Sequence, residues 1–239
     1  MNVRCARLVL VLTGVVLAAP AILGQEAGYL DLTDPTPRQR IRNPNGGIGG
    51  FCVGNGDIAS SAIPEITLTL VSIDKREHSI GEEVTFEVRI ENTGRSSIEI
   101  PWTSHSGDLE PSDPTRSYTY RSALLILSLT DPDSHRSFSL GDTFYGSTEV
   151  PGTIRELLPS QSVLIRTRKK IETYEEWWEK RIKEVQPLAL KASPDLMLNE
   201  MSYSPSEKGN LGSENVHCTP INTKKSNQLD VLLWPRSSN

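Results

Sequence analysis

The chain is poor in the residues that build chemical centres. It has three cysteines in 239 residues and no C-x-x-C pair, which removes zinc-ribbon and thioredoxin-type readings. Its four histidines (His78, His105, His135 and His217) each fall in a stretch read as turn or loop. None has a partner at metal-ligand spacing. Gly-x-Ser-x-Gly and His-Glu-x-x-His are both absent, so no nucleophile-and-base set or zincin site can be assembled. No catalytic residue, cofactor or metal site is expected. Clustered basic residues are scarce too, and the formal net charge is −5. The one dense group, Arg166, Arg168, Lys169 and Lys170, reads as a solvated strand end, so a nucleic-acid partner is not expected. Past residue 24 there is no long apolar run, and the one before it is well short of the roughly 20 residues a membrane span needs.

What the first 24 residues do contain is ordered. Arg4 and Arg7 precede the apolar stretch from Leu8 to Leu17, and small residues from Ala18 to Gly24 follow. Positive start, short apolar middle and small-residue end are the marks of a secretory leader. Cleavage is expected after Gly24 or Ala21. Removing 24 of the 239 residues leaves 215, enough for one well-buried domain with appendages, and takes the net charge from −5 to −7. Export to the periplasm or the medium of a bacterium is therefore expected, with no membrane span after cleavage. Cys5 is lost with the leader. Cys52 and Cys218 remain, and an isolated pair in an oxidising compartment is most simply one disulfide. Closing so long a loop contributes up to about 5 kcal/mol in the chain-entropy view.

Residues 25–63 are dense in turn formers: Pro35, Pro37, Pro44, and the glycine pairs Gly46-Gly47 and Gly49-Gly50. They read as a flexible N-terminal arm. From Pro64 the pattern becomes period two. Ile66, Leu68 and Leu70 alternate with threonines, the phase slips at Val71, and a bulge is expected there. Val84, Phe86, Val88 and Ile90 alternate with Thr85, Glu87, Arg89 and Glu91, the pattern of a strand with one buried and one wet face. Ile98, Ile100 and Trp102 restart it after the turn at Asn92–Gly94. Leu124 to Leu129 is apolar on both parities and belongs near a sheet centre. Asp131 to Ser134 forms a turn toward Phe138 and Leu140, and Leu158 to Ser162 another, feeding Val163 to Thr167. One helix is predicted from about Thr173 to Pro187. Thr173 and Glu176 form its capping box, and Tyr174, Trp177, Trp178, Ile182 and Val185 its apolar stripe. Residues 188–228 read as largely irregular before a last strand at Leu229–Trp234.

These strands fit a mainly β fold, an antiparallel β-sandwich over residues 64–239 with a helix-and-loop insertion at 172–228. The run from Glu82 to Gly94, continued by Ile98 to Pro101, resembles the exported immunoglobulin-like domains of bacteria, including the cell-adhesion-related bacterial domain. Leu158 to Val163 is similar to a Leu-x-Pro-Gly turn of such domains, with Ser160 where glycine is usual. The chain also resembles the immunoglobulin-like proteinase-inhibitor domain named for an intracellular bacterial protein. The resemblance implies an immunoglobulin-like fold over residues 64–170 and the last strand, and implies no site residue.

The expected function is accordingly a non-catalytic exported binding or structural module, with a protein or cell-envelope partner contacted through the loops Thr103–Ser117 and Gly141–Gly152. Protease inhibition by an exposed loop, stiffened by Pro111 and Pro114, is one alternative. Carbohydrate binding on an exposed tryptophan is another. Trp177 and Trp178 point about 100° apart on a helix, so one can be buried while the other lies at the margin. Asp108, Glu110 and Asp113 lack the glycine and terminal glutamate of a calcium loop, and solvated loop residues are the simpler reading.

Overall fold

The period-two pattern becomes strand wherever the sequence shows it. The structure is a computed structural model and describes residues 25–34, 36–37, 64–106, 116–173, 175–204, 213–219 and 221–236. The expected leader lies outside these residues. In chain order the first strands are β1 (Gln25–Leu32), β2 (Thr36–Pro37), β3 (Glu65–Ile73), β4 (Glu77–Ser79), β5 (Glu83–Asn92), β6 (Ile98–Pro101), β7 (His105–Ser106) and β8 (Tyr118–Thr130). Then come β9 (Ser137–Ser147), β10 (Ile154–Leu157), β11 (Gln161–Lys170), the helix α1 (Glu176–Glu184), β12 (Leu188–Ser204), β13 (Ser213–Thr219), β14 (Asn222–Lys225) and β15 (Leu229–Trp234).

The fold is mainly β. One sheet has the order β1-β11-β5-β3-β14; the larger runs β2-β7-β9-β8-β12-β15-β4, with β13 added beside β12; β6 and β10 form a separate antiparallel pair. Side chains from all three meet in one apolar core. Val84, Phe86, Val88 and Ile90 are all buried in it, as their alternation predicts. The β3 register shifts between Leu70 and Ser72, so the phase slip at Val71 is a bulge. Beside it the Asn227 side chain both accepts from the Leu70 amide and donates to the Leu70 carbonyl, standing in for a strand residue.

Three expectations need correction. The sheets are not purely antiparallel: β1 pairs parallel with β11, β14 with β3, β15 with β4 and β2 with β7. The region 25–63 is not arm throughout, because β1 completes an edge of the smaller sheet and buries Leu30 and Leu32. Residues 188–228 are not an irregular insertion. They contain β12, the 17-residue strand at the middle of the larger sheet, as well as β13 and β14.

Pro194 is why β12 hides in the sequence. A proline has no amide proton for a ladder, so one inside a run argues against a central strand. Here β12 pairs on one side with β8 over 191–203, but on its other side with β15 over 188–192 and β13 over 198–204. Pro194 falls in the gap between those two partners, where a missing donor costs no ladder bond.

Helix α1 begins later than predicted. Glu175 is its N-cap with no side-chain cap bond, and the Thr173 hydroxyl is buried without a partner, so the capping box does not form. Tertiary contacts hold the helix instead. Trp178 is buried and meets Phe138 edge-on at 4.8 Å, while Trp177 lies at the margin beneath the Arg136 guanidinium at 4.6 Å. The expected division of labour between the two tryptophans is what the structure shows.

Candidate interaction surface

The residue just before one nominated loop, Trp102, and the residue just after the other, Thr153, meet at one corner. Trp102, just past β6, donates its backbone N–H to the Thr153 carbonyl at 2.7 Å. Thr153 closes the turn after β9: its hydroxyl accepts from the Ser147 amide at 2.9 Å and reaches the Val150 carbonyl at 2.8 Å. The Val150 amide reaches the Ser147 carbonyl at 3.3 Å, so the turn is braced from within. At its tip Val150 is 52% exposed, an apolar side chain held out on a rigid support. Gly146 allows the close approach beneath. A Cβ there would run into the Thr153 carbonyl oxygen and lie 3.1 Å from the Pro101 Cα, both backbone atoms that cannot swing aside.

The second half of the corner comes from the N-terminal strand. Arg155, on β10, stacks its guanidinium over the Trp102 ring at 4.2 Å and donates to the Ala27 carbonyl. Ala27 is the bulged residue of β1, since the register with β11 shifts between Glu26 and Gly28. The bulge turns that carbonyl away from the ladder, and Arg155 satisfies it. Next to Gly28, Tyr29 is 47% exposed. Tyr29 is the first cause holding the Arg166 guanidinium above its ordinary range. Three distant chain segments thus converge on one Trp–Arg stack against Gly28, while Tyr29, the next residue of β1, turns to the opposite, exposed face of the strand. Aromatic and arginine side chains on a rigid rim are what protein interfaces favour.

Another concavity went unseen in the sequence because five segments build it. It has a volume of 320 Å³, and its lining includes Pro64, Ile98, Glu99, Arg121, Glu156 and Glu200. Arg121 bridges Glu99 and, at 3.5 Å, Glu200. Glu156 sits opposite Glu99 in the β6–β10 register, so carboxylates outnumber the guanidinium and the cavity is electronegative.

The remaining nominated residues are dispersed. Gly141 to Ser147 is strand β9, so only the 148–152 part of that segment is turn, a correction to the expected loop. The reading of all four histidines as turn or loop residues also fails. His78 is buried in β4, His105 and His217 lie in β7 and β13, and only His135 sits in a turn, with φ of 57°. Among the described residues no group of three or more His, Cys, Asp or Glu is placed to hold a metal. Asp108, Glu110, Asp113 and Cys52 lie outside the described residues, and Cys218, on β13, is opposite Asn199 in the register. Trp102 and Trp177 each have a guanidinium over the ring, and the Trp234 indole donates to Glu77 at 3.3 Å. One face of Trp102 and of Trp177 is thus taken by a guanidinium, whereas the bond at Trp234 lies in the ring plane and the residue is 36% exposed. Among the described residues no helix is long and apolar enough to cross a membrane.

No protein-family model and no curated protein matches the chain. Solved structures with low similarity include the alkylpurine DNA glycosylase AlkC of Pseudomonas fluorescens bound to DNA containing an abasic site analog. It shows 9% identity over 72% of this chain and 30% of that one, with a TM-score of 0.29. The sporulation control protein Spo0M of Bacillus subtilis shows 9% identity over 68% of this chain and 50% of its own, with a TM-score of 0.22. AvmM, described as catalyzing macrocyclization in alchivemycin A biosynthesis, shows 9% identity over 74% and 91%, with a TM-score of 0.27. The chain spans less than two thirds of the first two proteins, and at these scores the likenesses bear on neither fold family nor function.

Proposed function

We propose that this chain is an exported, non-catalytic binding or structural module, an immunoglobulin-like sandwich that engages a protein of the cell envelope. The observation that carries the reading is the corner at Trp102 and Arg155. There β1, the end of β6 and the 148–152 turn are locked together by a cation–π stack and backbone hydrogen bonds while Tyr29 and Val150 project outward. A surface that is preorganised loses little side-chain freedom on binding, and loops on a rigid sheet are the usual carriers of recognition. The immunoglobulin-like assignment is supported by two sheets closing on one core and by the Asn92 corner. There the Asn92 side chain donates to the carbonyls of Ser96 and Leu157 and accepts from the Gly94 amide.

The test is a chemical-crosslinking pull-down from native envelopes with the wild-type chain and with a Tyr29→Ala/Val150→Ala variant. A partner captured by the first and lost by the second, with the circular dichroism unchanged, supports the corner. Equal capture by both places the contact elsewhere, and measurable turnover of any envelope substrate overturns the non-catalytic reading.

A further inference from the structure

The smaller sheet ends at β1 with half of that strand's backbone unused. β1 pairs with β11 from Gln25 to Leu32, and among the described residues no strand lies on its other side. In a parallel ladder alternate residues aim their backbone groups away from the partner, so this side carries a row of unpaired amides and carbonyls. The other ends of the two strand orders are guarded. β14 is four residues long and carries Lys224 and Lys225, and Asn227 beyond it takes up the Leu70 backbone. β2 is two residues long and ends in Pro37, and β4 is three residues long. Short length, lysine and proline are the usual protections of an edge, and β1 has none of them from Gly28 to Leu32.

We propose that this edge pairs with the β1 edge of a second copy of the chain, antiparallel about a two-fold axis at Leu30, joining two five-stranded sheets into one. The open stretch sets the register. At one end the Ala27 carbonyl is taken by Arg155. At the other, Thr33 folds back on the Asp31 carboxylate, its amide at 2.8 Å and its hydroxyl at 2.6 Å, and the chain leaves for β2. Gly28 to Leu32 lies between, with Leu30 in the middle. A two-fold axis there puts Gly28 opposite Leu32, Tyr29 opposite Asp31 and Leu30 opposite itself. These pairings are self-complementary. Leu30 and Leu32 belong to the buried face, so the core side stays apolar across the joint, and Gly28 sets no Cβ against the Leu32 of the second copy. On the outer side Tyr29 and Asp31 are exposed, and a phenol stands opposite a carboxylate with no like charges opposed. An axis at Asp31 sets two carboxylates against each other and runs into the turn at Thr33. An axis at Tyr29 draws Ala27, whose carbonyl is already bound, into the ladder. Main-chain bonds supply the affinity of such a joint and the side-chain pairings its choice of partner. The inference goes beyond the envelope contact proposed above and does not rest on it.

Sedimentation equilibrium of the full chain over a range of concentrations should fit a single monomer–dimer equilibrium. Amide exchange followed residue by residue should slow severalfold with concentration within Gly28–Leu32 and stay unchanged in β14. Tyr29→Lys/Asp31→Lys places lysines on the edge, and this variant should be monomeric with the circular dichroism of the wild type. Exchange in the wild-type chain decides the matter by itself should the lysine pair fail to fold. Three results would overturn the proposal: a monomer at every concentration up to the solubility limit; a dimer that survives in the folded lysine variant; or protection that rises with concentration at β13 or elsewhere and not at β1.

Discussion

Arg181 Nε donates to Asp131 Oδ2 at 3.0 Å, across 50 residues of sequence, and this contact fastens the helix to the β8–β9 hairpin. Asp131 is buried and also accepts from the Asp133 amide at 3.0 Å and the Ser134 hydroxyl at 2.9 Å. Burial alone would raise its pKa. The three donors outweigh it and hold the carboxyl below the ordinary range.

Asp131→Ala removes the acceptor for all three donors, and a loss of about 2 kcal/mol is expected. Arg181→Ala should cost less, because water reaches the guanidinium side of the pair. Urea denaturation followed by tryptophan fluorescence measures both, since Trp177 and Trp178 report on the helix. Equal midpoints for wild type and Asp131→Ala would show that the helix does not depend on this anchor.

His78 makes stability fall in mild acid. Burial pushes its imidazole below the ordinary value, although Asp74, 3.4 Å away, favours the charged form. Nε2 lies 3.0 Å from the Lys75 carbonyl and Nδ1 has no partner. The neutral form is therefore the folded form. Above about pH 6.5 both states are neutral and this contribution is complete. As the pH drops below that value the unfolded chain binds the proton first, and stability declines until the folded pKa is passed. Unfolding free energies should fall by up to about 1.4 kcal/mol per pH unit in that window. His78→Gln should flatten the slope there.

Ser160 adopts a φ of 66° at the turn between β10 and β11, a conformation that costs an L residue roughly 1–2 kcal/mol. Part of that is recovered in Ser160→Gly, against the extra entropy glycine loses on folding. A net gain of up to about 1 kcal/mol is expected, or a melting temperature higher by about 2–4 °C. Calorimetry decides it, and an unchanged or lower midpoint counts against strain at this turn.

Gly146→Ala places a methyl group against the Thr153 carbonyl and Pro101. Overpacking against backbone costs about 1–3 kcal/mol. It should also loosen the 148–152 turn, seen as faster amide exchange at Val150 and Thr153. Gly152→Ala, with a φ of 82° but open space around its Cβ, should strain the turn without that clash.

Much of the strand content was legible because burial on one face writes a period of two into the residues themselves. Val84 to Ile90, the slip at Val71 and the double-sided run at Leu124–Leu129 each show it. Ser160, noted in the sequence only as standing where glycine is usual, proves to have a φ of 66°. The Trp102–Thr153 corner was legible only as the neighbourhood of two separately nominated loops. That the two residues touch depends on the close approach at Gly146, and nothing in the local pattern links the three positions. Nothing local marked Arg155 as the residue that would cap Trp102 and take the Ala27 carbonyl.

Local pattern thus determined where strands, turns and one helix form, because each depends on neighbours within a few residues. Tertiary structure decided who pairs with whom: the parallel β1–β11 edge, the place of β12 with Pro194 between two partners, and the burial of His78 and Asp131. Those outcomes rest on contacts between residues far apart in the chain, and a backbone hydrogen bond carries no side-chain label by which the sequence could announce its partner.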